Sequence, residues 1–408
     1  MNTKIRLTLM NFLQYAVWGA WLISLGAYLG NTLKFDGLQI GSFFATMGIA
    51  SLFMPAVMGI IADRWIPAQR LLGLCHLFAA GFITLAATRT DYNSLYTLVL
   101  LSVMFYMPTI ALSNSVAYNA LEKAGLDTVT HFPPIRVWGT VGFICAMWVV
   151  DLGKMGLSAT QLYFSATLGL ILGLYSFTRP NCPINRSGGG KSIVDLLGLR
   201  AFALFKQRKM AIFFIFSMLL GMSLQITNAF ADGYIKSFGD TGIHGAKYLG
   251  TFGVEHSTIL ISLSQISETL CILLIPFFLK RFGIKRVMLI AMFAWVLRFA
   301  LLGAGNPGPG VWMFILSMIV YGVAFDFFNI SGSLFVEKET SAAIRSSAQG
   351  VFMIMTNGLG ALIGSYLAGW VVNHYGWPLS WYLFAGFSLV VAIVFAVIFK
   401  YKHDPNRI

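Results

Sequence analysis

Apolar runs of roughly 20 residues recur along this chain from one end to the other, separated by short polar breaks. At about 1.5 Å per residue, a helix of that length crosses the ~30 Å hydrocarbon core of a bilayer. Twelve such spans are placed, at 7–29, 40–62, 71–88, 95–120, 136–150, 161–178, 211–231, 257–279, 284–304, 311–335, 350–372 and 381–399. Twelve crossings use about 240 of the 408 residues, which leaves short loops and no room for a large soluble domain. Composition agrees, with 11% charged residues against about 25% in soluble domains. The run starting at Leu7 exceeds a signal-peptide core and lacks a convincing cleavage site, so it reads as a retained first span. The expected fold class is therefore an all-α polytopic membrane protein.

A net charge of +13 would suggest nucleic acid in a soluble protein, but here the positions of the charges decide. With the N-terminus inside, 21 of the 28 Lys and Arg residues fall on the inner side. They include Lys4, Arg6, Arg64, Arg70, Lys123, seven between Arg179 and Lys209, Lys280, Arg281, Lys285, Arg286, Lys338, Arg345 and Lys400. Only five (Lys34, Arg89, Lys154, Lys236 and Lys247) lie outside. That asymmetry predicts cytoplasmic N- and C-termini and removes the main argument for nucleic acid. Cys75, Cys145, Cys182 and Cys271 show no metal spacing and no disulfide framework.

The longest polar segment separates two sets of six spans. It predicts an N-terminal six-helix bundle over 1–178, a cytoplasmic linker over 179–209 and a C-terminal bundle over 210–408. Residues 196–205 are apolar enough for an interfacial helix. Ser187-Gly-Gly-Gly-Lys-Ser192 mimics part of a phosphate-binding loop, but Asn185 stands where the leading glycine belongs, and a flexible linker is expected instead. Gly59-Ile-Ile-Ala-Asp-Arg-Trp65 and Leu279-Lys-Arg-Phe-Gly-Ile-Lys-Arg286 place basic turns at equivalent helix ends, as parallel repeats would. The first resembles the signature loop of the major facilitator superfamily. Asp63, Arg64, Lys280 and Arg281 are thereby expected to brace one conformational state.

Polar groups are expensive inside a membrane, so their positions are informative. Most acids fall in loops or at span edges, whereas Glu268 and Asp326 are placed deep within spans. Gln265 shares a helix face with Glu268 at i, i+3, and Gln225 and Asn228 repeat that spacing. Tyr321, Phe325, Asp326 and Asn329 fall within about 140° of helix arc. Amides and aromatic faces suit a neutral, flat heteroaromatic bearing hydroxyls. In the fifth span Arg136, Thr140 and Phe143 align at i, i+4 and i+7. Pro133 and Pro134 are expected to stop any helix before Ile135, which puts Arg136 in the first turn. Arg298 is expected to pair with an unidentified carboxylate. His76 reads as packed among Leu, Phe and Ala. No nucleophile–base set, metal cluster or dinucleotide motif is present, so no enzyme activity, cofactor or metal is expected.

Several strings are similar to the bacterial nucleoside:proton symporters, a branch of the major facilitator superfamily. They are Phe12-Leu-Gln-Tyr-Ala-Val-Trp-Gly-Ala-Trp21, Phe132-Pro-Pro-Ile-Arg-Val-Trp-Gly-Thr-Val-Gly-Phe143, Met210-Ala-Ile-Phe-Phe-Ile-Phe-Ser-Met-Leu-Leu-Gly221 and Leu224-Gln-Ile-Thr-Asn228. Ser264-Gln-Ile-Ser-Glu-Thr269 and Tyr321-Gly-Val-Ala-Phe-Asp-Phe-Phe-Asn-Ile-Ser-Gly332 carry the resemblance most strongly. It implies a major facilitator fold in the bacterial inner membrane, two pseudo-symmetric six-helix bundles, and a monomer that takes up purine and pyrimidine nucleosides with protons. It also implies substrate contacts from Arg136, Thr140, Phe143, Gln225, Asn228, Gln265, Glu268, Tyr321, Phe325 and Asp326. Glu268 is the first candidate to couple the proton and Asp326 the second. The competing readings are a symporter of another small polar solute, such as a sugar, and a non-transporting nutrient sensor on the same fold.

Overall fold

The computed structural model describes residues 2–184, 199–244, 246–341 and 344–401, and among them every regular element is helical. The long elements are α1 (Thr3–Gly19), α2 (Gly37–Arg64), α3 (Ala68–Ala86), α4 (Tyr92–Lys123), α5 (Thr128–Leu152), α6 (Thr160–Ser176) and α7 (Arg208–Ser237). They continue with α8 (Ser257–Ala304), α9 (Val311–Glu339), α10 (Arg345–Met353), α11 (Ala361–Tyr375) and α12 (Leu379–Ile398). Nine helices among the described residues are long and apolar enough to cross a membrane. In this count the stretch from Ser347 to Tyr375, which passes through the wide turn Ile354–Gly360, is one helix. Helices α1 and α6, at 17 residues each, are slightly shorter. The glycine triplet at 188–190, residues 196–198 of the expected interfacial segment, and Lys402 and Arg407 lie outside the described residues, while Leu199–Lys206 form a short 3-10 helix.

Two elements differ from expectation. The chain is already helical from Thr128, so Pro133 and Pro134 lie inside α5 and Arg136 sits in its third turn, not its first. Proline fixes φ at a helical value, so the ring fits the turn, at the cost of the helical donors that residues 133 and 134 would otherwise supply to the carbonyls of residues 129 and 130. The Asp127 side chain anchors that earlier start by accepting from the Thr130 N–H at 2.9 Å. The first span is also not one helix. Helix α1 ends at Gly19, and the chain continues through a short turn into Leu25–Ala27 and Tyr28–Thr32.

The 48 residues of α8 would make a rod of about 72 Å, more than twice the hydrocarbon thickness. Gly283, with φ 75° and ψ 166°, breaks it into arms over 257–282 and 284–304. That backbone conformation is cheap for glycine alone. The two arms fold back on each other, since Arg298 of the second reaches Ser264 of the first at 3.4 Å.

The chain divides into two compact units, Met1–Phe35 with Thr46–Leu197 and Asp36–Ala45 with Gly198–Ile408. In the first, Leu7, Met10 and Leu13 of α1 pack with Met54 and Met58 of α2, Leu72 of α3, Val116 of α4, Ile135 of α5 and Leu172 of α6. In the second, Phe213 of α7 packs against Phe335 at 4.6 Å and Phe352 at 5.4 Å, joining α7, α9 and α10. Outward positions such as Phe78, Leu85, Leu273, Phe277, Val390 and Val397 are apolar and exposed, as lipid contact requires. Outside the spans, Asp91 caps α4. Hydrogen bonds from the Ser94 side chain and N–H hold its carboxyl below the ordinary value.

Helix α9 approaches the first arm of α8 at Gly322, where a Cβ would stand 2.6 Å from the Ser267 carbonyl oxygen and 2.8 Å from Cys271 Sγ. The Ser267 hydroxyl donates to the Ile319 carbonyl at the same crossing. Gly322→Ala is therefore expected to lower stability by about 1–3 kcal/mol through overpacking. Gly386→Ala, on an open face with no atom within 4 Å, should cost nothing. Thermal unfolding of both variants in detergent checks this, and equal midpoints would show that the crossing is not tight.

Candidate substrate and proton site

Within the second unit, three helical segments carry the polar residues singled out above. Helix α7 places Gln225 and Asn228 one turn apart, and the Asn228 amide donates to Gln225 Oε1 at 3.5 Å. The first arm of α8 carries Gln265 and Glu268, both half-buried. Helix α9 carries Tyr321 and Phe325, whose rings are parallel within 4° at a centroid distance of 5.8 Å. Asp326 follows them, 4% exposed. Tyr321 is the hub, within electrostatic reach of Glu268, Arg298 and Asp326. Glu268 and Asp326 are also electrostatic neighbours of each other. The structure thus brings together Glu268, Tyr321, Phe325 and Asp326, with the Gln225–Asn228 pair on its own helix. Asp326 Oδ2 is buried without a hydrogen-bond partner among the described residues. In a folded chain such an oxygen is rare and costly.

Among the described residues Arg298 meets no carboxylate, contrary to expectation. Its Nη1 donates to the Ser317 carbonyl at 2.7 Å and to Ser264 Oγ, while the Ser317 hydroxyl donates to the Arg298 carbonyl at 3.0 Å. Its guanidinium lies over the Tyr321 ring, 4.6 Å from the centroid. Carbonyl, hydroxyl and ring face together replace the counter-ion, which no sequence spacing could reveal.

Within the first unit, the Arg136 guanidinium lies over the Tyr15 ring at 4.0 Å. Phe143 is buried edge-on against Trp18 at 6.3 Å, and Thr140 is half-buried on the same helix. The Trp18 Nε1–H is buried without a partner among the described residues, a donor that the sequence pattern does not single out. His76 is packed, but through a polar network. Its Nε2 lies 2.8 Å from Gln14 Oε1, and the Gln14 amide donates to Thr109 Oγ1 at 2.7 Å. The Tyr106 hydroxyl donates to the Gln14 carbonyl at 2.7 Å.

Residues 1–404 match the family model described as nucleoside H+ symporter. The chain belongs to the nucleoside H+ symporter family. It is 50% identical to the nucleoside permease NupG of Escherichia coli K12 over 410 residues, covering 99% of this chain and 97% of that one. It is 49% identical to the xanthosine permease of the same organism over 415 residues, covering 100% and 98%. The crystal structure of nucleoside transporter NupG superposes with a TM-score of 0.91 at 51% identity, covering 98% of this chain and 100% of that one. The fold is that of the major facilitator transporters, all-α and polytopic.

In this symporter-family chain the residues expected to brace a conformational state occupy helix ends. Asp63 and Arg64 close α2, with Asp63 exposed and Arg64 half-buried, while Lys280 and Arg281 are exposed just before Gly283. Another buried acid, Asp232, corrects the placement of only two deep in the spans. Helix α7 continues through Ser237, so Asp232 lies inside it at 1% exposure. It pairs with Lys236 at 2.6 Å and accepts from Ser257 Oγ at 2.5 Å and Thr258 Oγ1 at 3.1 Å. The i, i+4 spacing of Asp232 and Lys236 was the available signal.

Removing one member of a buried ion pair leaves the other uncompensated, at about 3–5 kcal/mol. Lys236→Met is therefore expected to lower stability by about that amount. Asp240→Asn, at an exposed position, should stay within about 0.5 kcal/mol of the parent. Denaturant titration in detergent distinguishes them, and a neutral Lys236→Met would mean that the hydroxyls alone satisfy Asp232.

Proposed function

We propose that this chain takes purine and pyrimidine nucleosides into the bacterial cytoplasm together with protons, by alternating access. On this reading it is a monomer with twelve crossings and cytoplasmic termini, and it performs no enzymatic chemistry. The observation that carries the proposal is the buried, unpartnered Oδ2 of Asp326 beside Glu268 and the parallel Tyr321–Phe325 rings. An unsatisfied carboxyl oxygen in hydrocarbon is relieved by a proton or by a substrate hydroxyl, and a symporter needs a group that can accept either. The adjacent aromatic pair suits a flat base, and stacking of that kind contributes about 1–3 kcal/mol per base. Amides at Gln225, Asn228 and Gln265 provide both donors and acceptors for a neutral heterocycle and its sugar. The family resemblance adds Arg136, Thr140 and Phe143 as proposed contacts. Protons bind first from outside, substrate follows, and both leave on the cytoplasmic side. Names of relatives at about 50% identity support the substrate class.

Glu268→Gln is expected to abolish nucleoside accumulation driven by a proton gradient in proteoliposomes, while counterflow exchange persists. The amide keeps the shape and hydrogen-bonding capacity of a protonated carboxyl but cannot release a proton. Asp326→Asn is the paired variant. If Glu268→Gln still concentrates nucleoside as well as the parent while Asp326→Asn does not, the proton belongs to Asp326. If both variants concentrate it normally, the coupling assignment fails altogether.

A further inference from the structure

Arg298 is a fully buried guanidinium inside a membrane-spanning unit, and no part of the transport scheme above uses it. Its exposure is 2%, and its Nε has no hydrogen-bond partner among the described residues. Taking an arginine out of water is expensive, and a helix tie between two serines could be made by a neutral amide at far lower cost. What an amide cannot supply is a planar cation over an aromatic face.

The geometry around that face is specific. Trp295 and Arg298 lie three residues apart on the second arm of α8, so they share one side of the helix. Trp295 meets Tyr321 edge-on at 6.0 Å and 87°, and Arg298 covers the Tyr321 ring at 4.6 Å. Tyr321 in turn lies parallel to Phe325. The guanidinium is itself held by the Ser317 carbonyl, one turn before Tyr321 on α9, and by Ser264, one turn before Glu268 on the first arm. Arg298 is therefore referenced to both helices that carry the substrate-facing groups.

We propose that Arg298 is a positioning residue for nucleoside recognition, fixing the Tyr321 ring and with it the Tyr321–Phe325 plane offered to the base. The proposal rests on the reading above that this aromatic pair contacts the base. A guanidinium on one side and an indole edge on another leave the tyrosine ring a single orientation, so the stacking surface exists before substrate arrives. Preorganisation of this kind favours the base and leaves ribose contacts untouched.

A double-mutant cycle on the purified full chain in detergent tests it, with uridine and adenosine binding followed by calorimetry and ribose as competitor. Arg298→Lys keeps the charge but loses the planar fork. It should weaken both nucleosides about tenfold in the parent and less than about twofold in a Tyr321→Leu background, with ribose competition unmoved. An equal loss in both backgrounds, or a matching loss for ribose, would overturn the proposal, because Arg298 would then act independently of the ring. If Tyr321→Leu alone leaves nucleoside affinity unchanged, the stacking reading falls and the proposal with it. Should Arg298→Lys fail to fold, the same cycle with Ser264→Ala, which withdraws one acceptor from the guanidinium, is decided by the same criterion. Coupling of about threefold or more supports the proposal, and additivity overturns it.

Discussion

Hydrocarbon offers no hydrogen-bond partner, so every polar group that folds into a membrane-spanning unit has to be satisfied by that unit. Several buried side chains show how this is done. Asp232 is surrounded by an ammonium and two hydroxyls, and Gln14 is shared between His76 and Thr109. Arg298 is met by a carbonyl, a hydroxyl and a ring. Twelve buried side-chain polar atoms lack a partner among the described residues, and of these Asp326 Oδ2 lies beside a second acid and an aromatic pair. In the proposed mechanism that oxygen is the one completed by a proton or a substrate hydroxyl.

The same constraint shapes the frame that holds the site. Helix α9 and the two arms of α8 pack closely because Gly322 admits the Ser267 backbone and Gly283 lets α8 turn back. Serines at 264, 267 and 317 bind backbone carbonyls, a thioether or the guanidinium across these contacts, so the frame is tied by serine hydroxyls. Glu268, Tyr321 and Asp326 are then presented from segments with little freedom to shift independently. A rigid frame with one reactive cluster is what a carrier of a flat, polar solute requires.

Much of this was legible in the sequence. Hydropathy located the helices and the polar break that became the bend at Gly283, because span length and backbone satisfaction are local requirements. The 3.6-residue repeat placed Gln225 with Asn228 and Tyr321 with Phe325, since neighbours on a helix face need no tertiary information. The failures were tertiary. Pro133 and Pro134 were read as a stop, but α5 begins five residues earlier on the Asp127 cap. Asp232 looked like a span-edge acid until its partners on α8 were seen. Arg298 was assigned a carboxylate because sequence shows charge and hides ring faces and carbonyls. The Gln14–His76–Thr109 network joins three helices that nothing in their spacing connects.

The central claim is that nucleoside and proton meet at the Glu268–Asp326 cluster of the second unit. It is tested most directly by counting protons on binding, through calorimetry of the purified protein in buffers of different ionisation enthalpy. The account predicts net proton uptake per nucleoside bound near neutral pH, lost when Glu268 and Asp326 are both converted to amides that still bind nucleoside. Binding enthalpies that are independent of the buffer in the parent, or proton uptake that survives in the doubly amidated variant, would contradict it.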